Sequence, residues 1–154
     1  MSKDKEQLGF YSKDIIKTSN KDDWETPQSL FNKLNEIYKF TLDPCANPQN
    51  AKCVKYYTKQ DDGLSKDWGG EIVFMNPPYG REIGKWVKKA YEESLKGAVV
   101  VCLIPARTDT KYYHDYIFPY AKDIEFVKGR LKFEVNGKAK DPAPFPSAII
   151  RFCE

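Results

Sequence analysis

Two hydrophobic periods alternate along this chain, and the switches between them mark out most of its elements. Leu30, Phe31, Leu34, Ile37 and Tyr38 recur at helical spacing behind Thr26-Pro27. The pattern predicts an amphipathic helix over 27–38, with Thr26 as N-cap and Pro27 at the first helical position. Phe40-Thr41-Leu42 reads as a short strand closed by Asp43-Pro44, and Val54 to Thr58 as another. The apolar run Ile72 to Met75 predicts a buried strand over 71–75 that stops abruptly at two prolines. A helix over 81–95 follows, with Ile83, Trp86, Val87, Ala90, Tyr91 and Leu95 on one face and Gly97 as its stop. Ala98 to Ile104 is a fully buried strand, 109–118 a helix and Ile124 to Val127 a strand. Leu131 to Val135 leads into Asn136-Gly137, a strong hairpin turn, before a last strand from Ser147 to Phe152. Helix and strand alternating in this way predict an α/β fold, a Rossmann-like and mostly parallel sheet with one antiparallel edge strand.

The first 23 residues break this pattern: they are rich in Lys, Asp, Ser and Asn and carry no sustained apolar period. They read as a flexible N-terminal arm, with a single domain over 24–154. The longest apolar run, Ala98 to Ile104, is far too short to span a bilayer, and no secretory signal opens the chain. The expectation is a soluble protein of the cytoplasm. Cysteines at 45, 53, 102 and 153 form no CxxC pair, and His114 stands alone, so no metal site is expected. Lys plus Arg (25) exceed Asp plus Glu (22) by little, so the placement of charge matters more than its +3 total.

The segment Asn76-Pro77-Pro78-Tyr79-Gly80 carries the clearest chemistry. A residue before proline is held extended, so Asn76 and the Pro77 carbonyl are fixed at the carboxyl end of a strand. Open α/β sheets bind their ligands at that end. A side-chain amide oxygen beside a free carbonyl makes a pincer for an –NH2 group, and Tyr79 offers a flat face for a planar ring. A rigid turn ending a core strand accounts for the same residues, with Tyr79 as surface cover. Asn-Pro-Pro-Tyr in this setting resembles the catalytic motif of S-adenosylmethionine-dependent amino-methyltransferases, whose members act on adenine or on a glutamine amide.

Three further elements flank it. Asp43-Pro44-Cys45 resembles a cofactor-binding corner, though a plain Asp-Pro turn explains it as well, and 43–50 holds no glycine to let a ligand approach. Trp24-Glu25-Thr26-Pro27 opens a helix whose first N–H groups suit a carboxylate. Asp61-Asp62-Gly63-Leu64 sets an acid at a strand end, Asp62 ahead of Asp61, with Leu64 to pack on a ring; an ordinary Asp-Gly turn competes.

Taken in order, Trp24 to Pro27, Leu42 to Ala46, Asn50 to Cys53, Asp62 to Leu64, Asn76 to Gly80 and Ala143 to Ser147 resemble the motifs of phage-type DNA N-6-adenine methyltransferases over 22–153. The resemblance implies transfer of methyl from S-adenosylmethionine to the N-6 amine of a flipped-out adenine in DNA. It implies Asn76, Pro77, Pro78 and Tyr79 as the catalytic corner. Trp24, Thr26, Pro27, Asp43, Pro44, Cys45, Asp62, Leu64 and Asn76 would then surround the cofactor. Arg81, Arg107, Lys128, Arg130 and Lys132, the cations nearest the expected active edge, are the candidate DNA contacts. Methylation of RNA or of protein glutamine, or an α/β binding module without activity, stays open on the residues alone.

Overall fold

Strand β1 (Ile72–Met75) forms where four consecutive apolar residues allow burial on both faces, and it pairs in parallel with β2 (Val99–Pro105), Ile72 opposite Val99 and Met75 opposite Cys102. The computed structural model describes residues 24–154; the arm expected over 1–23 lies outside the described residues. Ahead of β1 comes helix α1 (Gln28–Tyr38), which ends where Lys39 takes a left-handed φ of 56°. Its Phe31 is buried against Phe40 and Phe74, which seats the helix on the sheet. Helix α2 (Ile83–Ser94) buries Ile83, Trp86, Val87 and Ala90, the face the sequence spacing anticipates.

A helical run follows β2, with a π-helical turn at Tyr113–Ile117 and a last turn, α3, at Phe118–Tyr120. Pro119 has no N–H to return to the carbonyl four residues back, and a wider turn keeps this stretch helical. Then come β3 (Asp123–Phe126), a hairpin of β4 (Glu134–Val135) and β5 (Lys138–Ala139), and β6 (Ser147–Phe152). Asn136 and Gly137 both take positive φ, 53° and 81°, as a two-residue hairpin turn requires.

The main sheet has the order β1-β2-β6-β3, which corrects the expected arrangement. Only β1·β2 is a parallel ladder, and the antiparallel strand is not at the edge: β6 lies between β2 and β3 and runs against both. The physical reason is burial. Nearly all of β2 is sealed from water, so its second side needs a partner as apolar as Ala148, Ile150 and Phe152, and β3 is too exposed to serve. Beyond β1, single parallel bridges from Leu42 to Val73 and from Asp43 to Tyr56 extend the sheet, so the expected strands at 40–42 and 54–58 shrink to one or two paired residues. The result is a mixed α/β fold on a mixed sheet.

This topology decides which residues meet. Because β3 and β2 both oppose β6, they point the same way, as do β1 and the Leu42–Asp43 bridge. The carboxyl ends of all four, and the start of β6, therefore share one edge. Asp43, Asn76, Arg107, Lys128 and Phe145 all lie at or just beyond it. No described helix is long and apolar enough to cross a membrane.

Candidate active site

Asn76 sits one residue past β1, where the first proline pins its backbone. Its side-chain Nδ2 donates to the Trp24 carbonyl at 2.5 Å and to Thr26 Oγ1 at 3.0 Å. A carbonyl oxygen can only accept, so the nitrogen must face the 24–26 segment and Oδ1 must face away. That oxygen is buried and has no hydrogen-bond partner among the described residues. A buried acceptor left without a donor costs about 1–3 kcal/mol, so this oxygen is free to accept an N–H. Pro77 is buried beside it, and no described backbone N–H reaches the Pro77 carbonyl. Both acceptors of the expected pincer are thus without a donor among the described residues.

Asn76 shares a small cavity with Thr26, Asp43, Cys45, Lys52 and Pro77. Its volume is about 60 Å³, room for roughly two waters at ~30 Å³ each. Asp43 is 4 % exposed, and its Oδ2 accepts the Lys52 N–H at 3.0 Å. Burial pushes its carboxyl up to about 6, against the N–H groups of Lys52 and Cys45 and the Lys52 charge, which pull it down. Burial also lifts the Cys45 thiol well above its ordinary range, helped by the charge of Asp43, so this sulfur stays protonated beside the Asn76 backbone N–H.

Two sequence expectations fail here. Tyr79 is not an open platform: its ring is 4 % exposed, its hydroxyl donates to the Leu103 carbonyl at 3.0 Å, and the rings of Phe133 and Phe145 meet it at 89° and 75°. The reach back to β2 draws the ring under the segment before β6. Burial accordingly raises the phenol well above its ordinary value. Thr26 is not the helix cap either. Pro27 holds the N-cap position, no side chain caps from there, and the Thr26 hydroxyl is committed to Asn76. The Gln28 N–H instead donates to Glu134 Oε2 at 3.2 Å, so a carboxylate from the β4–β5 hairpin occupies the helix start.

The Asp62 element lies next to the corner without lining the cavity. Asp61 is spent on Thr58, whose N–H and hydroxyl both bond its carboxylate, whereas Asp62 is exposed at a left-handed φ of 58°. Gly63 between Asp62 and half-buried Leu64 presses against Pro44. Here a glycine lets two loops of the chain pack backbone against backbone, with no space left between them.

Around the aromatic cover stand the cations. The Arg107 guanidinium lies 5.5 Å from the Phe145 ring centre, and Lys140 Nζ 5.4 Å from that of Trp24. Trp24 in turn meets Phe133 and Phe145 edge-on at 5.6 and 5.2 Å. Arg81, Lys128 and Lys132 are exposed, and Arg130 donates to the Ala143 carbonyl at 3.3 Å. Sequence reasoning missed Glu134, which carries no local signal. Lys52 entered it only through the Asn50 to Cys53 motif, and Lys140 only as one of the cations of the basic, hairpin-like segment 128–140.

Residues 13–149 match the family model described as DNA N-6-adenine-methyltransferase (Dam). The chain is 30 % identical over 146 residues to a protein of Haemophilus phage HP1 named DNA N-6-adenine-methyltransferase, covering 92 % of this chain and 84 % of that protein. A protein of Escherichia phage T1 with the same name is 30 % identical over 119 residues, 76 % of this chain and 49 % of the relative. With the match extending over nearly the whole described sequence and through every element of the site, this chain belongs to the DNA N-6-adenine-methyltransferase (Dam) family.

Proposed function

We propose that this chain methylates the N-6 amine of adenine in DNA, using S-adenosylmethionine and taking the target base out of the helix. One observation carries the reading: Asn76 has both amide hydrogens committed to the chain, while its buried oxygen has no partner among the described residues. When bound, S-adenosylmethionine supplies an electrophilic methyl group on a sulfonium. The residues present fit that group in chemistry. Asp43 offers a buried carboxylate to its N–H or O–H donors. Trp24, Pro27, Cys45, Asp62 and Leu64 flank the same corner, and the family points to a methyl donor.

Asn76 Oδ1 and the Pro77 carbonyl would each accept one N–H of the adenine amine. Held in this way, the nitrogen is drawn towards a pyramidal shape and its lone pair leaves the ring system. Positioning and oriented dipoles then provide the rate. No strong base is needed, because the amine becomes cationic on transfer and sheds its proton readily. Pro78 keeps the turn rigid. Tyr79 supports the corner from beneath rather than by an open face. Because a duplex hides the amine, the base must be extruded at a cost of about a few kcal/mol. Arg107 beside Phe145, with Arg81, Lys128, Arg130 and Lys132 along the same edge, would offset part of this cost through phosphate contacts.

The reading extends to the sheet. The parallel bridges at Leu42 and Asp43 support reading the β1 side of the sheet as a Rossmann-like half, the arrangement that presents ligands at strand ends. The test is incubation of the purified chain with methyl-labelled S-adenosylmethionine and unmethylated DNA, RNA or protein, followed by nucleoside analysis. Label in N-6-methyladenine of DNA is the expected result. Label only in RNA, in protein or in another base would end the proposal.

A further inference from the structure

We propose that Thr26 is a positioning residue for this reaction, fixing the Asn76 amide so that its oxygen faces the substrate. The inference rests on the reading of Asn76 above. Thr26 is 3 % exposed, β-branched and hence stiff at χ1, and its Oγ1 accepts Nδ2 of Asn76 at 3.0 Å. The Trp24 carbonyl takes the other amide hydrogen. A terminal amide torsion is broad and roughly two-fold, so an asparagine tethered by one hydrogen bond swings between orientations that present oxygen or nitrogen. Two acceptors on the same segment remove that freedom. Only one orientation satisfies both, and it leaves Oδ1 as the group presented. A nitrogen presented instead would repel the amine it has to hold.

The hydroxyl is thus not a generic part of the helix start. Position 27, not 26, caps α1, and the helix's first N–H is served by Glu134. Thr26 also sits on the strap that closes one side of the cavity, so its single bond ties the orientation of the acceptor to the placement of that strap. Valine is nearly the same shape as threonine and cannot accept a hydrogen bond. Serine can accept but lacks the methyl group.

Three variants, wild type, Thr26→Val and Thr26→Ser, separate the roles. For Thr26→Val, kcat should fall about tenfold, because the Asn76 oxygen is no longer held in the orientation that meets the amine. KM for DNA and the dissociation constant for S-adenosylmethionine should stay within about twofold, since neither ligand loses a contact. Thr26→Ser should restore most of kcat. In the free protein, labelled with 15N-asparagine, NMR should show both Asn76 side-chain amide protons protected from exchange in wild type and Thr26→Ser, and one of them unprotected in Thr26→Val. This last readout needs no turnover, so it decides the Thr26–Asn76 relationship even if DNA proves not to be the substrate. Unchanged protection in Thr26→Val, an unchanged kcat, an equal loss in Thr26→Ser, or a loss confined to cofactor binding would each overturn the proposal.

Discussion

Gly63 and Pro44 come from separate loops, yet a Cβ placed on Gly63 would lie 2.2 Å from the Pro44 carbonyl oxygen. No side chain can be accommodated there, because the obstacle is backbone. Gly63 also gives its carbonyl to Trp68 Nε1 at 3.0 Å, and Trp68 stacks on Trp86 of α2. The contact therefore locks the Asp62 loop to the Asp43 corner and both to the helix behind them. Gly63→Ala should cost about 2–3 kcal/mol, the upper part of the usual range for overpacking. Thermal or urea unfolding measures it directly, with cofactor binding reduced in parallel. A loss under half a kilocalorie would mean the two loops are not pressed together.

Asn76→Ala removes the unspent acceptor together with its tether. By analogy with other preorganised dipoles that meet charge in a transition state, turnover should drop by about 10²–10³. Asn76→Asp should also fail, for a different reason: a carboxylate oxygen in place of Nδ2 would face the Trp24 carbonyl with no donor between them. Steady-state kinetics beside equilibrium binding of S-adenosylmethionine checks both. Binding should persist within a few-fold in the alanine variant. Near-normal turnover in Asn76→Ala would remove the pincer from the mechanism.

What could be seen in the sequence was whatever the chain decides locally. The run Ile72 to Met75 followed by two prolines announces a strand end, and Asn136-Gly137 announces a hairpin, because both depend on backbone preferences of adjacent residues. The misreadings all involve partners far along the chain. Thr26 reads as a helix cap by local preference, but the amide that claims it is 50 positions away. The carboxylate that does meet α1 is 106 positions from Gln28. Tyr79 looked available because nothing near it in sequence shows Phe133 and Phe145 coming to cover it. The place of β6 inside the sheet was equally hidden, since apolar alternation shows that a strand is buried but not which neighbour it chooses.

The Asp43 carboxyl, ordinarily near 3.8 and here raised to about 6 by burial, sets a pH window. A group whose folded value lies above its unfolded one stabilises the fold fully below pH 3.8, and that contribution is lost as pH rises through about 6. Ligand binding should run the opposite way. If the ionised carboxylate accepts donors from S-adenosylmethionine, affinity should fall as pH drops below about 6. Asp43→Asn should bind more weakly at neutral pH and lose this dependence. Titration calorimetry at pH values either side of 6 distinguishes the cases, and a wild-type affinity flat across that window would remove Asp43 from the binding site.

Glu134 grips the Trp24–Pro27 strap without lining the cavity itself. Its backbone N–H donates to the Glu25 carbonyl at 2.9 Å while its carboxylate takes the Gln28 N–H, so the hairpin grips the Trp24–Pro27 strap at two points. A cavity of about 60 Å³ is well below the roughly 300 Å³ at which small-molecule pockets begin. The expected consequence is that this grip loosens as a ligand the size of S-adenosylmethionine enters. An anion at a helix start contributes about 0.3–1 kcal/mol, and a hairpin with two-residue arms has little stability of its own. Glu134→Ala should thus lower global stability by no more than about 1 kcal/mol, yet speed amide exchange across 24–28 and 133–140 by several-fold. Association of S-adenosylmethionine should accelerate by a similar factor, because opening precedes binding. Stopped-flow binding and hydrogen exchange measure the two effects separately. Faster exchange without faster association would show that the ligand enters by another route, and unchanged exchange would show that the aromatic contacts of Trp24 with Phe133 and Phe145, rather than the carboxylate, hold the strap closed.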